Sequence, residues 1–152
     1  MRLFLREKPD IEETEVEIRY RTKDREVEDL IRTVNSSSDL ITGINDRGDT
    51  EIIYASEILY VEAVDRGVFV YRKDDACKVR NTLYELEDRL KDRCFVRISK
   101  STLVNIRSIR SIAPEDARRV KLLLRNGEYL IVSRNYVNDL KAAIGMKGGS
   151  RR

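Results

Sequence analysis

The chain of 152 residues has no histidine and no tryptophan, and only two cysteines, two prolines and seven glycines. Without histidine it lacks the commonest general base, the commonest metal ligand and the usual partner of a serine or cysteine nucleophile. Cys77 and Cys94 stand alone, without CxxC spacing, and make no zinc site. They read as reduced, buried thiols. Neither GxGxxG nor GxxxxGK[ST] occurs, so no loop announces a phosphate cradle. No apolar run reaches the roughly 18–20 residues of a membrane helix. The opening MRLFLREKPD lacks the apolar centre of a signal peptide. The expectation is a cytoplasmic protein, not an enzyme, with no cofactor and no metal.

What is present is charge, unevenly placed. Hydrophobic residues make up 41% of the chain, enough for a real core, and charged residues 38%. Residues 1–50 carry nine basic against thirteen acidic side chains, and residues 51–152 carry twenty-one against fourteen. An acidic front and a basic body point to an anionic partner for the body.

The front reads as strand, helix, strand. In TEVEIRYR (14–21), Val16, Ile18 and Tyr20 alternate with charged residues, the period of a half-buried strand. Asp24 caps a helix whose apolar positions are Val27, Leu30, Ile31 and Val34. Leu40 to Ile44 reads as a second strand. The piece is too short for a large core of its own. It is expected to pack on the rest of the chain or to serve dimerisation or regulation.

From Asp46 the texture changes to short strands: Glu51–Tyr54, Ile58–Val64, Val68–Tyr71 and Ala76–Val79. Asp65-Arg66-Gly67 joins two of them as a tight turn, with Gly67 free to take positive φ. Thr82 and Glu85 have capping-box spacing ahead of Leu83, Leu86 and Leu90. Strands resume at Cys94–Ile98, around Ile106–Ile112 and at Arg119–Arg125. Asn126-Gly127 signals a hairpin into Glu128–Ser133. A last helix carries Val137, Leu140 and Ile144 inward and stops at Gly145.

Such a body has no groove-filling helix with a basic face, so any nucleic-acid contact falls to loops. Three collect suitable side chains: Asp65-Arg66-Gly67, Ser99-Lys100-Ser101 and Ser133-Arg134-Asn135. Arginine and lysine reach guanine, asparagine reads adenine, and serine serves phosphate or base edges. Between residues 97 and 134 there are nine basic side chains and three acidic ones. Arg97, Ser101, Arg107, Arg110, Arg118, Arg119 and Lys121 are candidates for phosphate. Arg97 alternates into a strand and also suits a sheet-covering role. Asn105 also suits a structural turn.

Four segments, in order, resemble the LytTR family of bacterial DNA-binding domains over about residues 50–145. They are EILYVEAVDRGVFVY, VRNTLYELEDRL, FVRISKSTLVNIRSI and VKLLLRNGEYLIVSRNYVNDLKAAIG. The third is similar to the family's frequent F-x-R-I-H-[KR]-S-x-x-V-N, with Ser99 where histidine often stands. The resemblance implies antiparallel sheets whose loops enter two successive major grooves of double-stranded DNA. It maps base contacts onto Arg66, Gly67 and Val68, onto Ser99 and Lys100, and onto Arg134; adjoining Asn135 joins them from its chemistry. It also implies a stand-alone transcription regulator that works as a homodimer, with a small integral membrane protein as a further partner.

The expected fold is therefore mainly β. It is an antiparallel multi-sheet LytTR-like sandwich with short helices, preceded by a small strand–helix–strand extension. The expected divisions are 1–48 for the extension, 49–146 for the DNA-binding domain and 147–152 for a flexible basic tail. Two other readings compete. One is a protein-interaction module whose basic surface meets an acidic partner. The other is a Ser99/Lys100 dyad, which strand geometry disfavours because adjacent side chains point to opposite faces.

Overall fold

A computed structural model of the chain describes residues 1–12, 14–36 and 40–146. The basic tail 147–152 lies outside the described residues. The chain divides into two compact units, Met1–Ser37 and Ser38–Arg152.

Among its described residues the first unit contains one helix, α1 (Arg25–Ser36). The Asp24 carboxylate accepts from the Val27 amide at 3.1 Å, the expected N-cap. Residues 14–20 form no strand, and Val16 and Tyr20 are 61% and 51% exposed. Alternation prepares a strand for a sheet face, but this segment has no partner ladder to pair with. The strand–helix–strand extension is thus corrected to a helix preceded by irregular chain.

Among its described residues the second unit holds ten strands. They are β1 (Leu40–Ile44), β2 (Thr50–Tyr54), β3 (Tyr60–Val64), β4 (Gly67–Tyr71), β5 (Ala76–Val79), β6 (Phe95–Ser99), β7 (Thr102–Asn105), β8 (Ile109–Pro114), β9 (Val120–Leu124) and β10 (Tyr129–Val132). Helix α2 (Leu83–Leu90) separates β5 from β6, and α3 (Val137–Ala143) closes the unit. Seven strands form one sheet in the order β2-β1-β5-β4-β3-β7-β6, and β10-β9-β8 form a second. All pairings are antiparallel. β1, read from sequence as part of the extension, pairs with β2 and β5 and belongs to the large sheet. Of the strand expected around Ile106–Ile112, Ile106–Ser108 is a 3-10 turn and the rest lies in β8, while β7 just ahead of it was not expected from sequence.

The strand period explains the layering. On β3 and β7, Val61 and Leu103 point to one face, and Tyr60 and Val104 to the other. The first face packs on Leu83, Leu86 and Leu90 of α2. The second packs on Val120, Leu122, Leu124 and Val132 of the small sheet and on Leu140 of α3. Each fully buried leucine or valine contributes about 1.5–3 kcal/mol. The large sheet is therefore held rigidly from both sides.

Local caps hold the helices. Thr82 and Glu85 exchange reciprocal bonds, Glu85 N to Thr82 Oγ1 at 3.1 Å and Thr82 N to Glu85 Oε1 at 2.8 Å. These bonds hold the Glu85 carboxyl below its ordinary value. Gly145 takes φ 81°, and Met146 N returns to Lys141 O at 2.7 Å, a Schellman stop.

Arg72 ties the β4–β5 turn to β2. Its guanidinium meets Glu51 at 2.6 Å and Asp75 at 2.7 Å, and Asn45 donates to Glu51 at 2.7 Å. Glu51, Asp75 and Cys77 bring their ligand atoms within 4.8 Å of one another. The guanidinium already holds both carboxylates, so the cluster is an ion-pair knot. Cys77 is buried, and burial pushes its thiol up. Cys94 is exposed, which corrects its expected burial. It sits at the junction before β6 in the left-handed conformation, φ 66°.

Candidate nucleic-acid interface

The three loops singled out from sequence meet at one end of the large sheet. β3 runs into the turn Asp65-Arg66 and returns as β4, pairing Val64 with Gly67. β6 runs into Lys100-Ser101 and returns as β7, pairing Ser99 with Thr102. β3 and β7 are antiparallel neighbours, with Glu62 opposite Thr102, so both turns lie at the same end. The Ala63 amide donates to the Ser101 carbonyl at 2.8 Å and stitches them together. The third loop arrives from the small sheet. As β10 ends, the Ser133 amide donates to the Ile98 carbonyl at 2.9 Å, and Arg134 follows in a 3-10 turn. Arg66, Lys100, Arg134 and Asn135 are all exposed.

The turns hold their shape by different means than expected. Asp65 takes the left-handed conformation, φ 52°, while Gly67 is an ordinary strand residue. Gly67 matters for space: a Cβ there would stand 3.0 Å from the Phe69 ring. Val68 is half-buried and packs on the core facing α2, so its side chain belongs partly to the scaffold. The Ser99 hydroxyl accepts from the Ser101 amide at 3.2 Å and lies 3.4 Å from the Ser101 hydroxyl. It is occupied in shaping the turn, the opposite of a serine activated by Lys100.

The phosphate candidates divide by position. Pro114 and Val132 both pair with Val120, so the β8–β9 connection, with exposed Arg118 and Arg119, lies at the reading end. Ser101 lies there as well. Arg107 and Arg110 do not. Asn105 and Ile109 occupy the far ends of β7 and β8, and the Arg125 amide donates to Ser108 there at 2.8 Å. Alternating basic residues along the chain cannot reveal which end of a strand they reach; strand direction decides it. Lys121 is the second residue of β9, one position from the reading end, its ammonium 4.4 Å from the centroid of the Tyr129 ring. Arg97 is engaged, donating to Lys100 O and to Glu87 Oε1, each at 2.7 Å. It is a brace rather than a free cation. Asn105 is structural: it is buried, donates to Ile58 O at 2.9 Å and accepts from Arg107 N at 3.0 Å.

Sequence reasoning missed part of this end. Val79 pairs with Val68, so β5 leaves the sheet beside the first turn and carries Lys78, Arg80 and Asn81 there. A cleft of about 480 Å³ adjoins that turn, lined by Arg66, Lys78, Arg80, Asn81 and Thr82 among others. The signal was available as two basic residues flanking Val79 just ahead of the helix cap. Without the strand order it had no address.

Comparison with known proteins follows the same geometry. Residues 48–145 match the family model described as the LytTr DNA-binding domain. A LytTr DNA-binding domain from Bacillus cereus superposes with a TM-score of 0.66 at 26% identity, covering 71% of this chain and 98% of that one. Two Staphylococcus aureus proteins, from strains bovine RF122 / ET3-1 and NCTC 8325 / PS 47, are each 28% identical over 122 residues. Each alignment covers 79% of this chain and 82% of the relative, and both relatives are named uncharacterized HTH-type transcriptional regulators. With its paired antiparallel sheets and a family match over most of its length, the chain belongs to the LytTR family of DNA-binding domains.

Proposed function

We propose that the protein is a bacterial transcription regulator that reads double-stranded DNA with the loops at one end of its large sheet. In this reading Arg66, Lys100 and Arg134 enter two successive major grooves from one side of the duplex, and Ser99 and Asn135 support them. Ser101, Arg118 and Arg119 meet phosphate. The observation that carries the reading is the pair of backbone bonds, Ala63 to Ser101 and Ser133 to Ile98, which gather three exposed cations on one rigid edge. The protein acts as a homodimer on paired half-sites in the cytoplasm, with a small membrane protein as a further partner. No described helix is long and apolar enough to cross a membrane.

The test begins with selection of bound sites from a random duplex library. On the selected site, Arg134→Ala and Lys100→Ala each lower affinity by about 1–3 kcal/mol while binding to random duplex changes little. Equal losses on both duplexes would remove base reading from that residue. A protein that retards no duplex at moderate salt would instead be an interaction module for an acidic partner.

A further inference from the structure

Arg110, stranded at the far end, has a different neighbour. Between β8 and the C-terminal end of α3 runs an open groove of about 550 Å³. Ile109, Ile112, Ile144 and Met146 supply its apolar wall, and Arg110 and Lys141 its charge. None of its described lining residues carries a carboxylate. Ile109, Ile112 and Ile144 back onto the core between the two sheets, so the wall is rigid. Met146 remains 47% exposed. Among the described residues β8 is an outer strand of the small sheet, hydrogen-bonded to β9 on one side, with a shift of register between Ile109 and Ser111. Its other side offers backbone donors and acceptors to an added strand until Pro114, which has no N–H, closes the edge.

We propose that this groove docks an extended protein segment in which apolar residues alternate with carboxylates. The segment adds to β8 by backbone hydrogen bonds. Its apolar side chains fill the isoleucine wall, and its carboxylates meet Arg110 and Lys141. The charge pattern selects this occupant: two cations and no acid repel a basic strand and leave a neutral one without ion pairs. The charged part of the groove is set apart from the DNA-reading end, because Arg110 lies at the opposite end of the small sheet from the β8–β9 connection, while Ala113 and Pro114 carry its lining toward that connection. It gives the regulator a second face, available while the first holds DNA.

The full-length chain is titrated by fluorescence anisotropy with labelled short peptides that alternate leucine with glutamate, leucine with lysine, or leucine with serine. The glutamate set binds most tightly. The surface double variant Arg110→Glu/Lys141→Glu, shown by circular dichroism to stay folded, weakens it by about tenfold or more. Lys100→Ala/Arg134→Ala leaves it unchanged. The proposal fails if the three sets bind alike, or if the glutamate set ignores the Arg110→Glu/Lys141→Glu change. It fails equally if binding follows Lys100 and Arg134, which would place the carboxylates at the reading end. Concentration-dependent self-association abolished by Arg110→Glu/Lys141→Glu would assign the groove to a second copy and overturn it.

Discussion

Arg97 holds Lys100 by its backbone: guanidinium Nη1 donates to the Lys100 carbonyl at 2.7 Å while Nη2 donates to Glu87 of α2, also at 2.7 Å. The side chain of Arg97 is 18% exposed, so the ion pair is partly shielded from solvent. A cation that looked like a phosphate ligand in the sequence thus aims another cation. Arg97→Ala is expected to destabilise the fold by about 1.5–3 kcal/mol, the range for hydrogen bonds to charged groups. It is also expected to weaken DNA binding without changing the salt slope. Urea unfolding and binding at several salt concentrations separate the two effects, and a slope reduced by a full contact would return Arg97 to the phosphate set.

Position along the strands makes a paired prediction for the remaining arginines. Arg118→Ala and Arg119→Ala each reduce the slope of log K against log salt by about 0.9. Arg107→Ala, at the other end, leaves that slope unchanged. Filter binding across a salt series checks all three, and a change at Arg107 equal to that at Arg118 would refute the placement.

The Arg72 knot sets an acid dependence. Hydrogen bonds first from Arg72 and then from Asn45 hold the Glu51 carboxyl below its ordinary value of 4.5. A carboxyl depressed in the folded state adds stability above its unfolded value and loses it as pH falls toward the folded one. The melting midpoint of the wild type therefore drops more steeply below about pH 4.5 than that of Arg72→Met. Parallel melting curves for the two proteins would show that Glu51 draws nothing from the arginine.

Tyr60 sets an alkaline dependence. Its ring stacks on Tyr71 with centroids 4.4 Å apart, and its hydroxyl donates to Glu128 at 3.2 Å. Burial foremost, then the Glu128 charge, raises its pKa well above the ordinary 10. A group raised in the folded state gives its full stability below the unfolded value and loses it as pH climbs toward the folded one. Stability therefore falls above about pH 10. Tyr60→Phe costs about 0.5–1.5 kcal/mol at neutral pH through the lost hydrogen bond. It also removes that part of the alkaline loss, which thermal melts across the range measure.

Much of the fold was legible because its signals are local. Thr82 and Glu85 announce a helix start that their own spacing completes, and Asn126-Gly127 turns the chain with Gly127 at φ 92°. The reading end was less legible. Ser99, Lys100 and Arg134 stand out by residue type, but Lys78, Arg80 and Asn81 become part of the site only because β5 lies beside β4. TEVEIRYR shows the opposite error, a strand pattern with nothing to pair against.

Composition and short-range pattern by themselves determined a histidine-free, basic β-rich body with two capped helices and cationic turns. Those properties depend on residues a few positions apart. The tertiary structure alone decided that β1 joins the large sheet and that Arg118 faces the reading end while Arg107 faces away. It alone turned Arg97 inward as a brace. Such outcomes depend on strand order and direction, which arise from hydrogen bonds and packing between residues far apart in the chain, where sequence periodicity carries no address.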